Sequence, residues 1–149
     1  MIDVSGSSTG TAADGRQLIV PPPGTLRRSI ALFRAFRVEQ TDPDLFYGML
    51  AADSARQVAG YTELAGKTVL DVGGGPGYFA DAFRNAGANY VGIDADLGEL
   101  AARTEPGPGT VLGSGMALPF RTDSVDVCYS SNVLEHVDRP EVMADEMVR

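Results

Sequence analysis

The stretch Val69-Leu70-Asp71-Val72-Gly73-Gly74-Gly75-Pro76-Gly77-Tyr78 is an apolar run with a carboxylate near its end that breaks into glycines and then into a helical pattern. Glycine is required where φ is positive or where a ligand must touch the backbone, so a dense cluster after a strand marks a turn built for close approach. An ordinary strand-to-helix turn needs one or two glycines, and here four of the five residues from 73 to 77 are glycine. The segment therefore reads as a nucleotide-type cofactor loop at the carboxyl end of a first parallel strand. The dinucleotide fingerprint G-x-G-x-x-G, begun at Gly73 and Gly75, would place its third glycine at Tyr78, whereas Gly77 stands one place earlier. What the chain carries is Asp-x-Gly-x-Gly-x-Gly.

The carboxylate gives that spacing a physical reason. A dinucleotide brings an anionic pyrophosphate that Asp71 would repel, while S-adenosylmethionine brings no phosphate, a sulfonium and an ammonium. On these residues the sequence resembles the class I S-adenosylmethionine-dependent methyltransferases. The resemblance extends from about Phe36 to Arg149 and is strongest over Val69 to Ala80, Tyr90 to Asp96 and Leu118 to Val137. It implies a Rossmann-like, doubly wound α/β fold holding strands one to four of a seven-stranded sheet. The cofactor it implies is S-adenosylmethionine.

Strands are expected over Thr68 to Val72, Tyr90 to Asp94, near Val111 and Leu112, and over Val125 to Ser130. Helical segments alternate with them: one that buries Phe79, Ala82 and Phe83 and stops at Gly87, one over Leu97 to Arg103, and one starting around Asp138 to Pro140. Such alternation implies a parallel sheet with ligands at the strands' carboxyl ends. Ahead of the sheet, residues 1–24 read as a disordered tail closed by Pro21-Pro22-Pro23-Gly24, and residues 25–60 as two helices. In the first, Leu26, Ile30, Phe33 and Phe36 fall on one arc with Arg27, Arg28 and Arg34 off it. In the second, Asp42 is the N-cap, Pro43 the first helical residue and Gly60 the stop. The preferred role for the first helix is a lid over the cofactor, the other reading being contact with a membrane interface. Phe46 and Tyr47 resemble an aromatic pair that covers the cofactor in related enzymes, and core packing explains them as well. Residues 61–149 form the cofactor-binding domain.

Asp94, about 20 residues past the glycines, ends the second strand where an acid accepts hydrogen bonds from ribose hydroxyls, and Asp96 is free to cap the next helix. Asp71 also fits a second role, binding loop N–H groups. Gly113-Ser114-Gly115-Met116-Ala117-Leu118-Pro119-Phe120 resembles the family segment that edges the adenine. The resemblance implies that Gly115 offers backbone and Met116 an apolar wall, with Ser114 standing where the family usually has an acid. Ser130 to Val137 resembles the tract of the small-molecule, ubiquinone-biosynthesis-like (type 11) methyltransferases, and it places Asn132 beside the methionine part of the cofactor. Enzymes that methylate base amino groups carry Asn or Asp followed by Pro-Pro-aromatic there, and this chain has Asn132-Val133-Leu134. His136 is the one histidine, a residue type suited to a general base, but orienting a helix start or packing is the preferred reading.

The cofactor-binding residues expected are thus Asp71, Gly73, Gly75, Gly77, Asp94, Gly115, Met116 and Asn132, with no catalytic residue and no metal site assigned. With 12 Lys and Arg against 20 Asp and Glu, a net charge of -8 argues against a nucleic-acid partner and for a small-molecule acceptor. A single cysteine, Cys128, excludes an intrachain disulfide and fits a reducing cytoplasm, and no signal-peptide or membrane-spanning pattern is present. An NAD(P)- or FAD-dependent oxidoreductase is disfavoured by the glycine spacing and Asp71; a cofactor-binding module without activity is the other alternative. The helical pattern still open at Met147-Val148-Arg149 gives the expectation of a truncated domain. It would self-associate through an uncovered strand-four edge at Val125 to Tyr129.

Overall fold

The computed structural model describes residues 8–11, 16–102 and 109–149. Its contacts divide the chain into two units, residues 1–63 and 64–149.

In the first unit, β1 (Ser8–Thr11) pairs antiparallel with β2 (Gln17–Val20), followed by α1 (Leu26–Phe36) and α2 (Pro43–Ala59). The chain up to Gly24 was expected to be a tail, yet Leu18 and Val20 are buried. Alternation over Gln17-Leu18-Ile19-Val20 puts these two side chains on one face. Gly48, inside α2, makes room: a Cβ there would stand 2.6 Å from Leu18 Cδ1. Met1 to Ser7 and Ala12 to Gly15 lie outside the described residues. Asp42 caps α2 by accepting from the Leu45 N–H, Pro43 is its first residue and Gly60 its C-cap, all as the sequence predicts.

Helix α1 departs from expectation. The arc of Leu26, Ile30, Phe33 and Phe36 is exposed, at 76% for Leu26 and 61% for Phe33. The face turned to α2 and the core consists of Arg28, Ala31, Leu32 and Ala35, which share a face at i, i+3, i+4 and i+7 spacing. The cause is Asp53 on α2, wholly buried. It accepts from Arg28 Nε at 2.7 Å and from Arg28 Nη2, from Arg56 Nη2 at 2.8 Å and from Gln57 Nε2 at 2.7 Å. Arg56 also donates to the Val20 and Pro21 carbonyls. One carboxylate thus joins α1, α2 and the end of β2.

In the second unit, β3 (Thr68–Val72), β4 (Asn89–Asp94), β5 (Thr110–Leu112) and β6 (Val127–Tyr129) form a parallel sheet in the order β5-β4-β3-β6. The strand order reverses between β3 and β6, the place where a doubly wound sheet opens a crevice at its carboxyl end. Between strands lie α3 (Ala80–Asn85) and α4 (Leu97–Ala101), and after β6 come a 3-10 turn (Leu134–His136) and α5 (Pro140–Val148). Side chains alternate across β3. Leu70 and Val72 join Ile93, Leu118 and Met143 of α5 in one core. On the α3 face, Phe83 stacks with Tyr90 and meets Tyr129 edge-on, and Phe79 lies 5.3 Å from Tyr129 between ring centroids.

Gly87, at φ 88°, ends α3, and its N–H donates to the Arg84 carbonyl. Strand β6 is shorter than the Val125 to Ser130 expected. Asp126 instead exchanges bonds with Thr68 at the sheet's amino end: Thr68 N–H donates to its carboxylate at 2.8 Å, and its own N–H donates to the Thr68 carbonyl. Arg103, and the turn-rich Glu105 to Pro108, lie outside the described residues. Among the described residues no helix is long and apolar enough to cross a membrane.

Two stability outcomes follow. Asp53→Ala, which leaves two arginines without their buried partner, should lower the stability of the first unit by about 3–5 kcal/mol in denaturant unfolding. Burial pushes the Asp53 carboxyl up, but hydrogen bonds from Arg28, Arg56 and Gln57 outweigh it and hold the group below its usual range. Its contribution is therefore complete above the ordinary Asp value and lost as pH falls through the lowered one, so the variant should lack this acid-side loss. Asp96 accepts from the Gly98 and Glu99 N–H groups at the start of α4, and Asp96→Ala should cost about 1 kcal/mol in thermal denaturation.

Candidate functional site

The site gathers where β3 and β4 end. Gly73, Gly75 and Gly77 have φ of 80°, 49° and 83°, so each of the three predicted glycines occupies backbone that a side chain would strain. Gly73 and Gly74 both donate to the Ile93 carbonyl, at 2.8 and 3.1 Å, which fastens the loop to the end of β4. Gly73 has a second constraint: a Cβ there would stand 2.3 Å from Val133 Cγ2. The tract after β6 therefore lies directly on the loop, with Asn132 exposed beside it at φ 57°. Ser130 secures the same junction, its hydroxyl donating to the Val72 carbonyl at 2.8 Å.

Asp94 is partly buried, and its carboxylate is shared between two backbone groups. One oxygen accepts from the Gly75 N–H at 2.8 Å and the other from the Asp96 N–H at 2.9 Å. It thus stands against the glycine loop, where the sequence expects a ribose-binding acid, and it shapes the loop itself. A Cβ on Gly75 would meet nothing nearer than Glu99 Oε2 at 3.9 Å and Asp94 Oδ2 at 4.0 Å. The open side of the turn accordingly faces two carboxylates.

Asp71 is 1% exposed and points to the α3 face. Its carboxylate accepts from the Tyr90 hydroxyl at 2.7 Å, and a Cβ on Gly74 would stand 3.3 Å from its Cγ. The acid lies directly beneath the loop. The N–H groups of Gly73 and Gly74 go to the Ile93 carbonyl, that of Gly75 to Asp94 and that of Gly77 to the Gly74 carbonyl. Burial pushes the Asp71 carboxyl up to about 6; the Tyr90 hydrogen bond lowers it and the charge of Asp94 raises it.

Gly115 and Met116 lie on the other face of β3. A Cβ on Gly115 would stand 2.8 Å from Val72 Cγ1 and 3.2 Å from Met143 Sδ, and Met116 packs against the core that holds both residues. Close packing thus explains the bareness of Gly115. Ser114 accepts from the Met116 N–H at 3.1 Å and turns this loop. The segment that follows is held by α5: Leu118 N–H donates to Glu146, and Arg149 donates to the Leu118 and Phe120 carbonyls. His136 is exposed on the 3-10 turn.

A cavity of about 210 Å³, lined by Leu70, Phe120, Val125, Asp126, Cys128 and Met147 among others, opens beside the amino end of β6. It is at the opposite end of the sheet from the glycine loop. Tyr90 and Gly92, which complete the setting of Asp71, escaped the sequence reading; a tyrosine and a glycine two apart in a strand carry no motif. The residues around the loop suit a cationic ligand. Asp71, Asp94 and Glu99 surround it, and residues 73 to 78 include no Lys or Arg to neutralise a pyrophosphate.

Comparison with known proteins places the chain among methyltransferases. The chain is 53% identical to an uncharacterized methyltransferase of Mycobacterium marinum over 135 residues, covering 84% of this chain and 53% of the relative. It is 51% identical to one of Mycobacterium tuberculosis with the same coverage, so it spans about half the length of the curated relatives it matches. Among solved structures, a putative S-adenosylmethionine-dependent methyltransferase of Methanococcus maripaludis superposes with a TM-score of 0.60 at 16% identity, over 80% of this chain and 56% of that one. A magnesium protoporphyrin IX methyltransferase of Synechocystis, solved with bound S-adenosylmethionine, gives 0.58 at 17% identity, over 77% and 64%. At such identities these two show the shared fold. A type 11 methyltransferase domain matches residues 70–149, from inside β3 through α5, and the chain belongs to that methyltransferase family.

Proposed function

We propose that this chain binds S-adenosylmethionine at the carboxyl ends of β3 and β4 and serves the transfer of its methyl group to a small-molecule acceptor. The observation that carries the reading is the pair of carboxylates set against the glycine loop, Asp71 beneath Gly74 and Asp94 on the Gly75 N–H. Two acids at this turn oppose a pyrophosphate and favour a cation. Asp94 is the acceptor for ribose hydroxyls, and exchanging the Gly75 N–H for a hydroxyl would let the loop adjust as the cofactor enters. Gly73, Gly75 and Gly77 let the backbone approach the ligand, and Asn132 on its exposed turn stands next to them through Val133.

The bound cofactor would supply an already activated methyl group on its sulfonium. The protein's own share is then positioning, with the acceptor held in line at about 3–3.5 Å and water kept away. A general base is needed only for a protonated acceptor. A small, uncharged or cationic acceptor suits a chain of net charge -8, and Asn132-Val133-Leu134 lacks the Pro-Pro-aromatic sequence that base methylation uses.

Calorimetry separates this reading from its rival. S-adenosylmethionine or its demethylated product should bind the chain while NAD at comparable concentration does not; tight NAD binding would refute the assignment. Asp94→Ala should weaken cofactor binding by about 1.5–3 kcal/mol, the worth of hydrogen bonds to a charged group. Because Asp94 also holds two backbone N–H groups, the same variant should lose some thermal stability. Asp96→Ala should leave affinity unchanged.

A further inference from the structure

Gly92 belongs to no motif, yet its bareness decides where a ring lies. Residues 90 and 92 share one face of β4, and a Cβ on Gly92 would stand 3.3 Å from Tyr90 Oη and 3.4 Å from Tyr90 Cε1. The Tyr90 ring therefore lies along its own strand, over the vacant position. In the β3–β4 register Gly92 is opposite Asp71, so the hydroxyl arrives 2.7 Å from the Asp71 carboxylate. The same hydroxyl is 3.1 Å from where a Cβ on Gly74 would stand. Acid and phenol together form the floor of the glycine loop.

The ring is held independently of its hydroxyl. Phe83 stacks on it with centroids 6.2 Å apart and planes 22° apart, and the Arg84 guanidinium stands 5.4 Å from its centroid. A phenylalanine at position 90 would keep these contacts and lose only the donor.

We propose that Tyr90 is a positioning residue of the cofactor site: through the space left by Gly92 its hydroxyl donates to Asp71 and fixes that carboxylate beneath the loop, where it attracts the cofactor's cationic end. This deepens the proposed function and rests on it. The surroundings make the donor necessary. The groups facing Asp71 are Tyr90 and Asp94 from β4, Tyr129 opposite it on β6 and, across the Tyr90 ring, Arg84 of α3; Glu99 of α4 stands at the loop. Burial and Asp94 favour the protonated acid, and Tyr90 opposes them. With the carboxyl near 6, the wild-type site is charged at neutral pH and becomes neutral as pH falls through that value. Loss of the donor moves the group further up, so the charge disappears at higher pH.

The test is calorimetric affinity for S-adenosylmethionine and its demethylated product as a function of pH, with wild type, Tyr90→Phe, Gly92→Ala and Asp71→Asn. Wild-type affinity should fall as pH drops through about 6. Tyr90→Phe should shift that midpoint upward by roughly one pH unit, with binding about twofold weaker at pH 7, about fivefold weaker at pH 6 and recovery at higher pH. Gly92→Ala, which keeps the tyrosine and pushes its hydroxyl by a few tenths of an ångström, should shift the midpoint in the same direction by a smaller amount, and Asp71→Asn should abolish the step. A Tyr90→Phe profile that superimposes on the wild type, or one that falls equally at every pH, would overturn the inference and leave the cofactor assignment standing. Wild-type protein that binds neither compound would overturn both. Should Tyr90→Phe not fold, Gly92→Ala decides: an unshifted midpoint there also overturns the inference.

Discussion

The Ile93 carbonyl accepts two hydrogen bonds from successive glycines, Gly73 at 2.8 Å and Gly74 at 3.1 Å, and the arrangement of the sheet's carboxyl edge depends on them. A parallel ladder would normally end with β3; here it is carried one step further, so that the chain leaves the sheet already folded over the end of β4. That turn requires positive φ at Gly73, and the resulting bare backbone receives Val133. Ile93 precedes Asp94, whose carboxylate then takes the next available N–H, that of Gly75. One carbonyl on β4 thereby fixes the positions of the loop, the Asp94 carboxylate and the tract after β6. The β3–β6 reversal in strand order leaves the space above them open.

Asp71 cannot be explained by stability. A carboxyl raised to about 6 by burial is more easily ionised in the unfolded chain, so at neutral pH it opposes folding, by on the order of 3 kcal/mol. That penalty fades as pH falls from about 6 toward the ordinary Asp range. Asp53 is the contrasting case in the same chain: it is as deeply buried, but two arginines and a glutamine amide reverse the direction of its shift. One buried acid is compensated by cations and joins helices. The other is given a phenol and left with its charge beneath the glycine loop, the pattern expected of a group kept for binding.

What the sequence disclosed was local or periodic. The strand at Thr68 to Val72, the Asp42 cap and Pro43 start of α2, the Gly87 stop and the Asp96 cap each depend on neighbours within a few residues, and they stand where the pattern put them. The failures involve partners far apart in the chain. Hydrophobicity alone selects Leu26, Ile30, Phe33 and Phe36 as the buried arc of α1, whereas an ion pair between residues 28 and 53 turns a face headed by arginine inward. A charged residue heading a buried face is legible only once its partner is known. The strand at Gln17 to Val20 was missed for a related reason: four residues after a polar stretch acquire meaning only from the groove that Gly48 opens in α2.

Glycines show the same division. At 73, 75 and 77 the reason is backbone conformation, which spacing after a strand reveals. At 92 and 115 the reason is a neighbour's side chain: the Tyr90 ring in one case, and Val72 and Met143 in the other. The motif resemblance at Gly115 pointed to the adenine, while the packing there shows a glycine needed by the core whatever ligand is near. Gly92 is the converse, a residue outside every motif that connects to the motif's acid through one ring. A substitution at Gly92 would leave the Asp-x-Gly-x-Gly-x-Gly pattern intact and still disturb the electrostatics beneath it, because the space occupied by the Tyr90 hydroxyl is set on β4 and not in the loop.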